Sequence, residues 1–137
     1  MIQIVQLHGG ESEEYIGQLK ARIPGVSVWQ AFRVRTPEDL TAAQQSTADL
    51  ILLDNGYGTG ETFDWSLISG MTRPFLLAGG LTPQNIPQAI ARFAPYAVDI
   101  SSGVETEKQK DRDKILAAVA AARGAGKMDL KQSGEKE

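Results

Sequence analysis

The sequence predicts an α/β protein made of parallel strand–helix units, and three observations carry that reading. Short apolar, β-branched runs begin at Ile2, Val26, Leu50, Phe75 and Ala97. Their spacing of about 24 residues suits one strand, one helix and two short loops. Helical patterns fill the intervals, and several carry a recognisable start signal. Alternation this regular implies a parallel sheet with right-handed crossovers. Two architectures satisfy it: an open doubly wound sheet, or a partial TIM barrel of five strands, each followed by a helix or short helical segment. In both, function sits at the carboxyl ends of the strands.

The elements follow in order. The first strand, Ile2–Leu7, leads to a helix over Ser12–Arg22 with Tyr15, Ile16 and Leu19 on one face. The second strand is Val26–Val34. Thr36-Pro37-Glu38-Asp39 then opens a helix with a capping hydroxyl, a proline in the first turn and acids near the positive end of the dipole. The third strand, Leu50–Leu53, ends in Asp54 and a glycine-bearing loop. Asp64 is placed to cap the short helix at Trp65, with that indole packed beneath the rim. The fourth strand, Phe75–Ala78, meets Gly79-Gly80, and Thr82-Pro83 repeats the helix signal, with Pro87 making the first turn irregular. The fifth, Ala97–Ile100, runs into Ser101-Ser102-Gly103. An alanine-rich helix over Asp111–Arg123 closes the pattern, with Ile115, Leu116 and Val119 as its apolar stripe. Residues 1–123 thus read as one domain and residues 124–137 as a polar, flexible tail.

Composition narrows the function. The chain has 137 residues, enough for one domain with a real core. A net charge of −3 argues against nucleic acid as the main partner. There are no cysteines, so a disulfide, a thiolate metal site and a cysteine nucleophile are excluded within this chain. No apolar run approaches the length of about 18 residues that marks a membrane-spanning helix. Met1 leads straight into "IQIVQLHGG" with no leader pattern, and the expected location is the cytoplasm.

Polar groups and glycines collect at the strand ends: "QLHGG", "AFRV", "LLDNGYGTG", "LLAGGLTPQN" and "VDISSGVE". A parallel sheet brings all five endings to one rim. Gly79-Gly80 allows close backbone approach to a ligand, and the helix start behind it offers N–H groups. Ser101, Ser102 and Gly103 add two hydroxyls and a flexible backbone from the next strand. Either loop alone is equally an ordinary glycine turn; the adjacent pair points to phosphate. His8 is the only histidine and, taken alone, is read first as a structural hydrogen-bonding residue and second as a catalyst. Asp54 has the stronger claim, because a carboxyl group at the end of an apolar strand is pushed toward the protonated form that suits a general acid. Asp99 either orients a sugar hydroxyl or bonds neighbouring backbone. Arg33 and Arg35 are read evenly as anion ligands or as solvated residues at a strand end. No ligand-spacing motif supports a metal, and none is expected.

These motifs resemble those of phosphoribosylanthranilate isomerase, a (β/α)8-barrel family of tryptophan biosynthesis. The resemblance runs through "VQLHG", "LLD…GTGETFDWSLI", "LAGGLTPQNIPQAI" and "AVDISSGVE…KD…KI", and spans nearly all of residues 1–123. It implies an aldose–ketose isomerase, an intramolecular oxidoreductase that carries out an Amadori rearrangement without metal or organic cofactor. The residue at Asp54 protonates the furanose ring oxygen and the ring opens to a Schiff base. A cysteine base then removes the proton on C2, and the enol relaxes to the ketone. The "GGL" loop, Gly79, Gly80 and Leu81, and the "SSG" loop, Ser101, Ser102 and Gly103, hold the 5-phosphate. His8 and Asp99 line the site near the sugar. The glycines after Asp54 form a mobile active-site loop.

The departures set further expectations. The resemblance begins at the family's fourth strand, so three strand–helix units, the cysteine base and an arginine that contacts the anthranilate carboxylate are absent from this chain. Tyr57 lies in a loop usually richer in glycine, and Lys108 stands where glycine is common before "KD". Five-eighths of a barrel leaves two sheet edges unpaired. The chain is therefore expected to dimerise, to be completed by a separate N-terminal barrel fragment, or to rearrange. Alone it is expected to be inactive or to need complementation. The competing reading is a non-catalytic phosphate-sugar binding or assembly module built from a degenerate half-barrel.

Overall fold

The computed structural model describes residues 1–54 and 64–134. Five strands, β1 (Ile4–Leu7), β2 (Ser27–Arg33), β3 (Leu50–Asp54), β4 (Phe75–Leu77) and β5 (Ala97–Val98), form one sheet in the order β1-β2-β3-β4-β5. Every neighbouring pair is parallel. A doubly wound sheet reverses its strand order at a switch point. This sheet never reverses, so each right-handed crossover steps the same way and the helices share one face. That is the arrangement of a barrel wall, and it decides between the two architectures.

The helices form where local chemistry starts them. Ser12 caps α1 (Glu13–Arg22) by accepting the Tyr15 N–H at 3.1 Å. Thr36 and Asp39 make a reciprocal capping box on α2 (Pro37–Gln45), with proline in the first turn. Asp64 caps a short 3-10 helix (Trp65–Gly70) through the Ser66 N–H at 2.9 Å, and Trp65 meets Phe93 edge-on. Against the helix start expected at Thr82, regular α3 begins later, at Ile86, and runs to Phe93. Thr82 O accepts the N–H groups of Asn85 and Ile86. Pro87 has no N–H to offer Pro83 O, so the ladder breaks after that first turn.

Both faces of the sheet are apolar, as expected of a parallel sheet covered on both sides. Ile51, Leu53 and Leu77 are fully buried on the helix side, against Ile68, Ile86 and Ala89. Leu50, Leu52, Leu76 and Ala78 form a separate cluster on the inner face, flanked by Trp29, Ala31 and Ala97. Since side chains alternate along a strand, Asp54 belongs to the inner face with Leu50 and Leu52.

Two further features depart from the sequence expectations. A small antiparallel hairpin, β6 (Glu105–Thr106) and β7 (Gln109–Lys110), sits between β5 and the last helix. Its two-residue turn holds Glu107 at φ 52° and Lys108 at φ 64°. Both central residues at positive φ is the hairpin turn that normally selects Asn-Gly, which gives a physical meaning to the glycine position occupied here by Lys108. The second departure concerns α4 (Arg112–Gly134), whose expected apolar stripe is not buried. Ile115, Leu116 and Val119 stand 39–54% exposed, while Ala118, at 3%, is what joins the core. Small alanine side chains let α4 approach the core closely on that side and leave the larger residues outside.

Candidate active site

The site is built at the carboxyl rim of the inner face. Asp54 ends β3 half-buried, and its backbone carbonyl accepts the Val34 N–H at 2.8 Å. Arg33 is its direct register partner on β2. Partners on adjacent parallel strands project to the same face with backbones about 4.8 Å apart, so a guanidinium and a carboxyl group emerge side by side. Leu53 pairs with Leu77, which sets Asp54 level with Ala78, one residue before Gly79. Alternation likewise gives His8 and Asp99 to the inner face. His8 lies just past β1 and Asp99 just past β5, both exposed, with Asp99 N–H donating to Leu77 O at 2.8 Å. The rim thus brings Asp54 beside Arg33 and Gly79, and leaves His8 two strands away. The glycine-bearing loop expected to move over the site, residues 55–63, lies outside the described residues.

The loops after β4 and β5 interlock. Gly79 and Gly80 take φ of 86° and 68°, the left-handed region that glycine enters without strain. Leu81 then turns into the core at 2% exposure. Asn85 fixes the turn from both ends: its Oδ1 accepts the Thr82 N–H at 2.8 Å and its Nδ2 donates to Gly80 O at 2.9 Å. Thr82 Oγ1 accepts the Asn85 N–H in return. Across from it, Gly103 lies so close to the Leu81 carbonyl that a Cβ would fall 1.7 Å from its oxygen. Only glycine permits that approach. A cleft of about 430 Å³ opens between the loops, lined by Thr82, Gln84, Ser102, Gly103, Glu105 and Lys114.

The amides of Gly80, Leu81, Ser102 and Gly103 donate to no described group. Backbone donors left open on two facing glycine turns are an arrangement that suits an anion, and the pair is called the cradle below. Lys110 buttresses it, with Nζ 3.0 Å from Ser101 O and 3.2 Å from Ser101 Oγ.

The opposite end of the rim is arranged differently. A second cleft of about 410 Å³ is lined by His8, Gly9, Gly10, Glu11, Ala31 and Arg33. Here the Glu11 carboxylate already accepts the Gly9 N–H at 3.0 Å. The Asp39 carboxyl, held below its usual range chiefly by the Arg35 N–H, also takes that of Thr36. Among the described residues no cluster of three His, Asp or Glu side chains is arranged to hold a metal ion.

A sequence profile described as N-(5'phosphoribosyl)anthranilate (PRA) isomerase matches residues 1–121. The chain belongs to the phosphoribosylanthranilate isomerase family. It is similar to the N-(5'-phosphoribosyl)anthranilate isomerase of Endomicrobium trichonymphae, 45% identical over 127 residues, an alignment covering 89% of this chain and 62% of that protein. Among solved structures it resembles monomers made from the dimeric phosphoribosylanthranilate isomerase of Thermotoga maritima. There the TM-score is 0.75 at 39% identity, over 89% of this chain and 61% of the other. It also resembles a phosphoribosylanthranilate isomerase in complex with reduced 1-(o-carboxyphenylamino)-1-deoxyribulose 5-phosphate, with a TM-score of 0.72 at 37% identity, over 89% and 60% of the two chains. The chain therefore spans about three-fifths of the length of the isomerases it matches. The fold expected from the family resemblance, a parallel α/β wall of the TIM-barrel type, is the one observed. No described helix is long and apolar enough to cross a membrane.

Two contributors escaped the sequence reading. Asn85 carried a signal, since Thr-x-x-Asn has the spacing of a capping box with the amide in place of Glu or Gln. Lys110 lies in the "KD" of the family resemblance, but nothing in "ETEKQKD" itself tells its role from that of a solvated surface charge.

Proposed function

We propose that this chain supplies the acid and the phosphate cradle of a phosphoribosylanthranilate isomerase site, acting in tryptophan biosynthesis on N-(5'-phosphoribosyl)anthranilate. The observation that carries the reading is the pair of interlocked loops with open amides at the rim position next to Asp54. Gly79, Gly80, Leu81, Ser101, Ser102 and Gly103 hold the 5-phosphate. The sugar then extends along the inner face toward Asp54, with His8 and Asp99 bordering it. Asp54 delivers its proton to the ring oxygen as the C1–O bond breaks, and the nitrogen lone pair forms the C=N bond of the Schiff base. A base takes the C2 proton to give the enol, which loses its O–H proton as C1 gains one, leaving the ketone. No cofactor enters this scheme.

The chain contains no cysteine to serve as that base. A missing general base costs roughly 10²–10⁴-fold in rate, so the chain alone is expected to show negligible turnover. We further propose that a complementing barrel fragment or a second copy covers the flanks. Ile2, just before β1, and Ile4, its first residue, are 72% and 46% exposed, and Leu116 on α4 is 54% exposed. Anthranilate-type fluorescence of the substrate reads the reaction directly. A sustained fall on adding the isolated chain would refute its predicted inactivity. In a complemented enzyme, Asp54→Asn is expected to lower the rate at least about 100-fold; an unchanged rate removes Asp54 from the acid role.

A further inference from the structure

We infer that Lys110 is a positioning residue of the anion cradle, one that turns the Ser101 hydroxyl into a hydrogen-bond donor for the bound phosphate. The inference rests on reading the interlocked loops as a phosphate site. It extends that reading to a residue outside them, on the hairpin that follows β5.

An ammonium group has three protons to donate and no acceptor. Lys110 Nζ lies 3.2 Å from Ser101 Oγ, so the oxygen is the acceptor in that bond and the hydroxyl proton must point elsewhere. No described group accepts that proton. The same ammonium donates to Ser101 O at 3.0 Å, which fixes the Ser101 backbone as well as its side chain. Ser101 O also takes the Val104 N–H at 3.3 Å, closing the turn that leaves the Ser102 and Gly103 amides open. Lys110 therefore orients a hydroxyl proton and a pair of amides together, and a positive charge next to Oγ makes that hydroxyl a stronger donor. Its own position is set by the hairpin and by an ion pair with Glu105.

The neighbouring lysines supply the contrast. Lys114 Nζ is engaged with Glu105 O at 2.7 Å. Lys108 stands at the tip of the turn, has no bond to the cradle, and serves as the control for charge alone.

Calorimetric titration of the full chain with ribose 5-phosphate tests the inference. Lys110→Met is expected to weaken binding about tenfold, the scale of a hydrogen bond to a charged group. In a Ser101→Ala background the same change is expected to cost less than about threefold, because the hydroxyl it acts through is gone. Lys110→Arg keeps a donor-only cation and is expected to stay within about threefold of the unaltered chain. Lys108→Met should leave affinity unchanged within about twofold. Equal loss from Lys110→Met in both backgrounds would reduce Lys110 to a mechanical clamp on the Ser101 carbonyl and overturn the inference. So would full affinity in Lys110→Met, a loss in Lys110→Arg as large as in the Met variant, or an equal loss in Lys108→Met. Failure of the unaltered chain to take up ribose 5-phosphate would sink the proposed function itself, and the inference with it.

Discussion

The two ends of the rim treat their backbone amides in opposite ways. Around β1, β2 and α2 the protein's own carboxylates take several of them: Glu11 takes Gly9 N–H, and Asp39 takes those of Arg35 and Thr36. In the cradle at β4 and β5 the turns are held by neutral groups, Asn85 and Thr82, and by the Gly103–Leu81 approach. The amides there stay open. A carboxylate that accepted those amides would occupy the place proposed for a phosphate; Glu105, which lines the same cleft, is paired with Lys110 instead. At the other end the Gly9, Arg35 and Thr36 amides already have carboxylate acceptors.

The contrast breaks most severely at Gly103. Gly103→Ala forces the loops apart, and a loss of about 3 kcal/mol of stability is expected, at the upper end of overpacking costs. Urea unfolding measures it, and binding of ribose 5-phosphate should disappear. An unchanged unfolding midpoint would show that the loops are not interlocked.

Asn85→Ala removes two neutral bonds without adding bulk. It should cost about 1–2 kcal/mol and weaken ribose 5-phosphate, because Gly80 and Thr82 are no longer held in register. If stability falls while binding is unchanged, the turn contributes to folding but not to the site.

Lys108→Gly sharpens the comparison from the other side. Relieving a left-handed lysine at the hairpin turn should stabilise the chain by about 1 kcal/mol, seen as a higher urea midpoint. Phosphate binding should hold, since Lys108 does not touch the cradle. A lower midpoint would count against the turn geometry.

The smallest effects are those of acid. The Asp49 carboxyl sits below its ordinary range because Val28 N–H donates to it, with Lys20 nearby at 3.1 Å. Glu13 is lowered chiefly by the Thr47 hydroxyl, and Asp39 chiefly by the Arg35 N–H. A carboxyl depressed in the folded state adds stability that is fully present above its unfolded value, about 4. That stability is lost as pH falls through the folded value. Hydrogen exchange at pH 3 should therefore deprotect Arg35 and Thr36, whose amides Asp39 takes, before Asn85. Simultaneous loss at both ends would erase the distinction.

Much of the fold was legible because its signals are local. Strand starts, the caps at Thr36 and Asp64, and the irregular turn at Pro87 depend on residues within a few positions of each other. The hairpin at Glu105–Lys110 was not legible, since nothing in six polar residues announces a turn with two residues at positive φ. The face that α4 buries is not legible for a related reason. Periodicity shows which side chains share a face of a helix, and packing decides which face is turned inward.

The sequence by itself determined the parallel strand–helix repeat, the acid at the end of β3 and the two glycine turns, each encoded by neighbouring residues and by the period of the pattern. Only the tertiary structure decided that the strands keep their sequence order without a switch point. It also placed Arg33 beside Asp54, seated Gly103 on the Leu81 carbonyl and brought Lys110 to Ser101. Those are contacts between segments separated by other residues in the chain, and their geometry follows from strand register and loop packing, which no local pattern records.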